Sequence, residues 1–338
     1  MNRIDPQKFK SSLLLSFKKE GPAQRQREDS FFFEKKKQKT SQRTSTRAPR
    51  VGLGAVGELL KPITWFAPMW AYGCGVVSSG QHMAGHWWLV LAGVALCGPM
   101  VTGTSQAVND WYDRHVDAIN EPGRAIPSGR VPGHGGLYLA GLWTILSLAL
   151  ATTLGSWAFA ATVLGLALAW AYSAPPARIK LNGWWGNAAC GACYEGLPWF
   201  TGAAIMAGTL PSHGVIIMAA LYSIGAHGIM TLNDFKSIEG DRQMGVRTLP
   251  VQLGATNAAR LACVVMAAPQ VAVVAWLLHQ GYWIHGGIVA GLLLAQVRLM
   301  TKLLLNPREK APWYNATGTS LYVLGMLATA FALRGMHG

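Results

Sequence analysis

The sequence predicts an all-α integral membrane protein of nine transmembrane helices, arranged as two pseudo-repeated four-helix units plus one helix. Three observations carry that expectation. The 338-residue chain is 51% hydrophobic and only 13% charged, whereas soluble proteins carry about 25% charged residues. From Leu59 onward, apolar runs recur at the length a bilayer requires, about 17–25 residues. The loops between them alternate: every second one is basic, and the others lack Lys and Arg.

The expected spans are 60–80, 87–109, 134–153, 156–173, 185–207, 213–233, 257–279, 283–304 and 313–334. The first and last are clear. The second and sixth run into Asn109-Asp110 and Asn233-Asp234. Only "TLGSW" separates the third from the fourth, and the fifth encloses one carboxylate, Glu195. Nine spans put the amino end and the loops at 110–133, 174–184, 234–256 and 305–312 on one side. Those loops hold Arg114, Arg124, Arg130, Arg178, Lys180, Lys236, Arg242, Arg247, Arg308 and Lys310. By the positive-inside rule that side is cytoplasmic, and the carboxyl end lies outside.

Residues 1–54 form a basic extension expected to be disordered, and 55–338 form the transmembrane domain. Residues 1–50 hold 14 Lys or Arg against five acids. Most of the net charge of +14 therefore sits in this tail, which argues against a nucleic-acid partner for the domain and suits anionic lipid. The longest early apolar run, "LLL", is too short for a secretory signal. All five cysteines lie in apolar segments. "CGAC" at 190–193 has no second pair to complete a zinc site and reads as small residues at a helix contact.

Outside the tail there are ten carboxylates, and seven cluster in two stretches: Asp110, Asp113, Asp117 and Glu121, then Asp234, Glu239 and Asp241. Asn109-Asp110 and Asn233-Asp234 both open an N-D-x6-D pattern, 124 residues apart. If the second helix continues past 109, residues 109, 110, 113 and 117 share an arc of about 100°. Like charges so crowded need cations. An all-oxygen donor set favours Mg²⁺, which joins a few carboxylates to phosphate oxygens. Arg124, Arg178, Lys180 and Arg247 lie on the same side and could hold phosphate directly. A diphosphate at a membrane surface suggests an isoprenoid. Loss of diphosphate, stabilised by the metal, leaves an allylic cation for an acceptor to capture away from water.

"NDWYDRHVDAINEP" and "NDFKSIEGD" resemble the two Asp-rich motifs of the UbiA superfamily of intramembrane prenyltransferases. "KPITWFAPMW", "INEPGRAIPSG", "AYSAPPARIKLNGWWGN" and "NDFKSIEGDRQMGVRTLPVQLG" are similar to its chlorophyll synthase branch. "CGACYEGLPW" and "GAHGIMTLND" are closer to members acting on bacteriochlorophyllide. The resemblance covers about residues 55–334. It implies nine helices around a cytoplasm-facing cavity and Mg²⁺-dependent transfer of a geranylgeranyl or phytyl group from its diphosphate to the 17-propionate of bacteriochlorophyllide a. The implied setting is the inner or intracytoplasmic photosynthetic membrane. The implied partners are the bilayer and proteins of pigment biosynthesis or photosystem assembly.

Carried over by position, Asn109, Asp113 and Asp117 match the first metal motif, with Asp110 beside them. Asp234 and Asp241 match the second, with Glu239 between and Asn233 before. Asp113, Asp117, Asp234 and Asp241 are the expected catalytic acids. Arg178 and Lys180 match the basic positions after the fourth helix. Two departures stand out: Ser237 where quinone-branch members carry Asp, and Ala125 in place of a proline, which is expected to loosen its loop. A propionate is already ionised at neutral pH, so no general base is required.

Three further residues are substrate-binding candidates with open alternatives. Glu195 fits a polar macrocycle substituent or a helix–helix hydrogen bond. His227 fits a ligand to the pigment's central magnesium or a packing residue. Tyr172 fits a phosphate contact or an interfacial tyrosine. The competing functions are prenyl transfer to chlorophyllide, a quinone precursor or haem, and, in a different class, divalent-cation transport or pigment scaffolding. Transport sites usually lie at the midplane, not at cytoplasmic helix ends.

Overall fold

The computed structural model describes residues 51–336, and the roles expected of the basic tail at 1–50 fall outside them. The described unit is helical throughout. It comprises α1 (Leu53–Leu60), α2 (Phe66–Ser78), α3 (Trp87–Asn120), α4 (Gly135–Thr152), α5 (Ser156–Ser173), α6 (Gly183–Gly191 and Leu197–Ala207), α7 (His213–Asn233), α8 (Ile238–Gln243), α9 (Leu249–His279), α10 (Trp283–Leu305) and α11 (Pro307–Gly335). Seven of these (α3, α4, α5, α7, α9, α10 and α11) are long and apolar enough to cross a bilayer. The chain is an integral membrane protein.

Two helices widen into π-helical turns near a proline. In α3 the turn spans Leu96–Thr102 around Pro99; in α6 it spans Ala192–Gly196, just before Pro198. Proline lacks the N–H that an α-helical ladder needs, and one extra residue per turn relieves the mismatch. The α6 turn carries Tyr194 and Glu195.

Helix α2 crosses α6 at a very short distance. A Cβ on Gly75 would collide with the Trp199 carbonyl, and one on Gly202 with the Tyr72 carbonyl. Small residues permit such crossings, where packing rather than water release drives association. The fully buried Trp199 sits at this crossing and donates from Nε1 to Ser78 Oγ at 3.0 Å. Tyr222 on α7 and Tyr322 on α11 complete the core: Tyr322 Oη donates to the Tyr222 carbonyl at 2.6 Å.

The loops that carry the two acidic motifs are shorter than hydropathy implies, and three expected boundaries move. Helix α3 runs on to Asn120, so the stretch read as a loop from 110 is helical for another three turns. Helix α9 starts at Leu249, not 257, and bends at Gly254 in the left-handed region (φ 75°). Helix α11 starts at Pro307, not 313, leaving only Asn306 between it and α10. Pro250 and Pro307 sit at first-turn positions, where a missing N–H costs nothing.

Candidate active site

The continuation of α3 lines up the first acidic motif. Asn109 Nδ2 donates to Asp113 Oδ2 at 3.0 Å and to Ser173 Oγ on α5 at 3.1 Å. Every carboxylate here has a cation. Lys180 Nζ lies 2.6 Å from both Asp113 oxygens. Lys61 Nζ is 2.6 Å from Asp110 Oδ1. Arg124 contacts Asp117 at 2.9 Å, Glu121 at 2.5 Å and Asp110 at 3.5 Å. Asp110 and Asp117 are buried, 4% and 8% exposed, so these contacts are weakly screened. Burial pulls the Lys180 ammonium below its ordinary value, against the hydrogen bonds it donates to Asp113. For Arg124, burial also opposes the charge, yet Glu121, Asp117 and Asp110 together raise its value.

The loop bearing Arg124 is fastened by α1. Leu59 packs on Ala125 and Val131, and Arg130 grips both oxygens of Glu58 at 2.6 and 2.9 Å. Val131 N–H donates to the Ala125 carbonyl at 2.9 Å. Ala125 is 1% exposed, so the loop expected to be loosened by this alanine is held by burial.

The second motif is built differently. Asp234 follows the last turn of α7 and accepts from Asn187 Nδ2 at 3.4 Å. Asp241 lies on α8, buried, and its Oδ2 accepts from Ser237 Oγ at 2.8 Å and Thr248 Oγ1 at 3.2 Å. Ser237, the departure noted in the sequence, thus supports a neighbouring carboxylate. Asn233 Oδ1 accepts from Asn315 Nδ2 on α11 at 2.8 Å. Neither Asp234 nor Asp241 forms an ion pair among the described residues. Glu239 stands apart: it is exposed, paired with Arg242 at 3.3 Å and Arg308 at 3.2 Å.

A two-residue bridge ties the loop after α5 to the loop before α9. Arg247 N–H donates to the Leu181 carbonyl at 2.9 Å, and Gly183 N–H to the Arg247 carbonyl at 2.8 Å. Gly183 is required by closeness, because a Cβ there would lie 2.6 Å from Leu249 N. Arg178, just before this bridge, adopts a left-handed backbone (φ 37°) and keeps its buried Nε without a partner among the described residues. An unpartnered guanidinium N–H held on a left-handed backbone in this way is a ready anion donor. The Arg247 side chain is exposed.

Two of the cavities among the described residues border the acidic motifs. One of about 500 Å³ is walled by α2, α6, α7 and α11 and includes Glu195, Asn233 and Asn315. One of about 220 Å³ is walled by α3, α5 and α6 and includes Gln106, Asn109 and Tyr172. Cys190, Tyr194 and Met230 belong to both walls. The asparagines that open the two repeats therefore reach this cavity system from opposite sides. His227 lines neither cavity; it lies against Trp184, ring centroids 5.9 Å apart.

Sequence reasoning missed Lys61, Gln106, Asn187, Tyr194 and Asn315. Each is a lone polar residue at the edge of, or inside, an apolar run, and its only signal was its presence there.

Among the described residues no three His, Cys, Asp or Glu side chains converge on one point. The site is no preformed all-protein cage. That suits Mg²⁺, which dehydrates reluctantly and takes one or two carboxylates together with substrate phosphate oxygens. The all-oxygen donors of the two motifs fit the ion.

Residues 62–332 match the UbiA prenyltransferase family. The chain is 58% identical over 283 residues to the bacteriochlorophyll synthase 33 kDa chain of Cereibacter sphaeroides, covering 84% of this chain and 94% of that protein. It is 52% identical to the corresponding chain of Rhodobacter capsulatus, covering 87% and 96%. In fold it is similar to a UbiA homologue from Archaeoglobus fulgidus bound to DMAPP and Mg²⁺, with a TM-score of 0.63 at 20% identity, covering 83% and 99%. The chain belongs to the UbiA prenyltransferase family.

Proposed function

We propose that this enzyme esterifies the 17-propionate of bacteriochlorophyllide a with a geranylgeranyl or phytyl group taken from its diphosphate. The observation that carries the proposal is the pairing of high identity to bacteriochlorophyll synthases with two Asn-Asp repeats that reach one cavity system. Asp113, Asp117, Asp234 and Asp241, with Asn109, are the residues that would hold Mg²⁺. When bound, the ion supplies charge neutralisation for the departing diphosphate.

The chain's own residues do the rest. Arg178 Nε and Lys180 Nζ offer N–H donors to phosphate oxygens at the cytoplasmic face, and Arg124 orders the acid strip behind them. The apolar walls formed by Leu168, Ala169 and Met230 keep water from an allylic cation. The acceptor carboxylate attacks without a base, so no His acts as one. Glu195, Tyr172 and Asn233 bind substrate from the cavity walls.

In this reading α2 and α6 also cross the bilayer, giving nine spans in two four-helix units plus α11. The support is that α3 and α7 each carry an Asn-Asp pair, within α3 and at the end of α7. Residues 55–338 form the catalytic domain, residues 1–54 an extension, and both acidic motifs face the cytoplasm of the photosynthetic membrane. The test is to incubate purified protein with Mg²⁺, geranylgeranyl diphosphate and bacteriochlorophyllide a. The expected product is the pigment ester; its absence with active, folded protein would overturn the proposal.

A further inference from the structure

Six buried side-chain polar atoms lack a hydrogen-bond partner among the described residues, and three of them belong to the wall of the larger cavity: Glu195 Oε2, Asn315 Oδ1 and Thr319 Oγ1. Buried polar groups are almost always satisfied, and exceptions call for a reason. Asn315 and Thr319 lie one turn apart on α11, and Glu195 comes from the π-helical turn of α6. Around them the wall is mostly apolar, with Phe66, Ile229 and Val323. A volume of about 500 Å³ falls in the range of pockets that bury a whole organic ligand.

The two substrates differ in what they could offer here. A prenyl chain is hydrocarbon and leaves all three oxygens unsatisfied. The acceptor is a broad apolar macrocycle edged with oxygen-bearing substituents. We infer that the cavity between α2, α6, α7 and α11 is the acceptor's, and that Thr319 Oγ1–H donates to a peripheral carbonyl of the macrocycle. Glu195 and Asn315 complete the polar rim, directly or through ordered water. Asn315 also donates to Asn233, beside Asp234. The polar rim thus begins at the second motif, where the reacting carboxylate must sit, and continues one turn along α11 to Thr319. The smaller cavity, with Asn109 and Tyr172, is left to the prenyl donor. This assignment rests on the function proposed above.

The test is direct pigment binding to the purified enzyme without prenyl donor, followed by protein fluorescence quenching. The probes are bacteriochlorophyllide a and two analogues: one with vinyl in place of the acetyl group, one with the ring keto group reduced. Thr319→Val should weaken binding of the parent pigment about 10-fold, as expected for one lost hydrogen bond, and Thr319→Ser should restore it. The variant should lose its effect on whichever analogue lacks the recognised carbonyl. Glu195→Gln should also change pigment affinity, while geranylgeranyl diphosphate affinity stays within about two-fold, as for a separate site. Unfolding midpoints of all variants exclude a folding defect, and Thr319→Ala, which also lacks the hydroxyl, carries the comparison if Thr319→Val is unstable. Weakened donor binding with unchanged pigment binding would overturn the inference, as would an equal Thr319→Val effect on all three pigments. A wild type that binds pigment with this pattern yet forms no ester would sink the proposed reaction and leave the cavity assignment standing.

Discussion

The two acidic motifs share a spacing but not a construction. In the first, Asn109, Asp110, Asp113 and Asp117 lie on one unbroken helix, and Lys61, Lys180 and Arg124 balance its acids at 2.6–3.5 Å. In the second, the chain breaks after α7. Asp234 takes an amide from Asn187, and Asp241 takes hydroxyls from Ser237 and Thr248. The first motif is balanced from within the protein. The second holds its carboxylates by neutral donors and leaves their charge for something else to balance. Buried charge without a counter-ion is costly, so the second motif has the stronger demand for an external cation.

The largest effect should come from removing the uncompensated charge. Asp234→Asn is expected to lower kcat for ester formation by ~10²-fold or more, with the unfolding midpoint unchanged or raised, because no internal ion pair is lost. Asp113→Asn should lower kcat by a similar factor but also free Lys180. If Asp234→Asn retained near-normal turnover, the contrast between the motifs would have no functional meaning.

Arg124→Ala comes next. It strips Asp117 and Asp110 of a shared guanidinium and should destabilise the protein by ~1–3 kcal/mol, more than a single change in the second motif. Arg124→Lys should recover only part, because a point charge cannot reach three carboxylates with a fixed fork. Thermal unfolding in detergent would measure both. A smaller loss, ~0.5–1.5 kcal/mol, is expected for Ser237→Ala, which removes one of the two hydroxyl donors to Asp241 Oδ2 and leaves Thr248 in place.

The smallest effect concerns the clamp on the Arg124 loop. The hydrogen bond from Arg130 holds the Glu58 carboxyl below its ordinary value. A lowered carboxylate stabilises the fold above its unfolded value, and that contribution is lost as pH falls through the lower folded value. The pair is exposed, so the contribution is slight. Glu58→Gln should therefore shift the unfolding midpoint a little at neutral pH and not at all in acid. A constant difference across pH would mean that the clamp works by packing alone.

Much of this contrast was legible in the sequence. The N-D-x6-D spacing put four polar side chains of α3 on one face, and the helix does continue to carry them. Seven of the expected spans meet the length and hydropathy a bilayer requires. The cations were only half visible. Arg124 and Lys180 sit in basic loops, whereas Lys61 lies 49 residues from Asp110 at the mouth of an apolar run. The bridge between Asn182 and Arg247 is a contact of backbones and leaves no side-chain pattern. The early starts of α9 and α11 were hidden because their first turns are polar or interrupted by proline, and hydropathy reads helix ends as loops. The π-helical turn that carries Glu195 has no periodic signature at all.

The central claim is that both motifs serve one Mg²⁺–diphosphate site. The direct measurement is the Mg²⁺ dependence of geranylgeranyl transfer in wild type, Asp117→Asn and Asp241→Asn, at fixed donor and acceptor. The account predicts that both substitutions raise the Mg²⁺ concentration needed for half-maximal rate and weaken donor binding together. A Mg²⁺ requirement that moved with only one motif, or a rate independent of the ion in wild type, would contradict it.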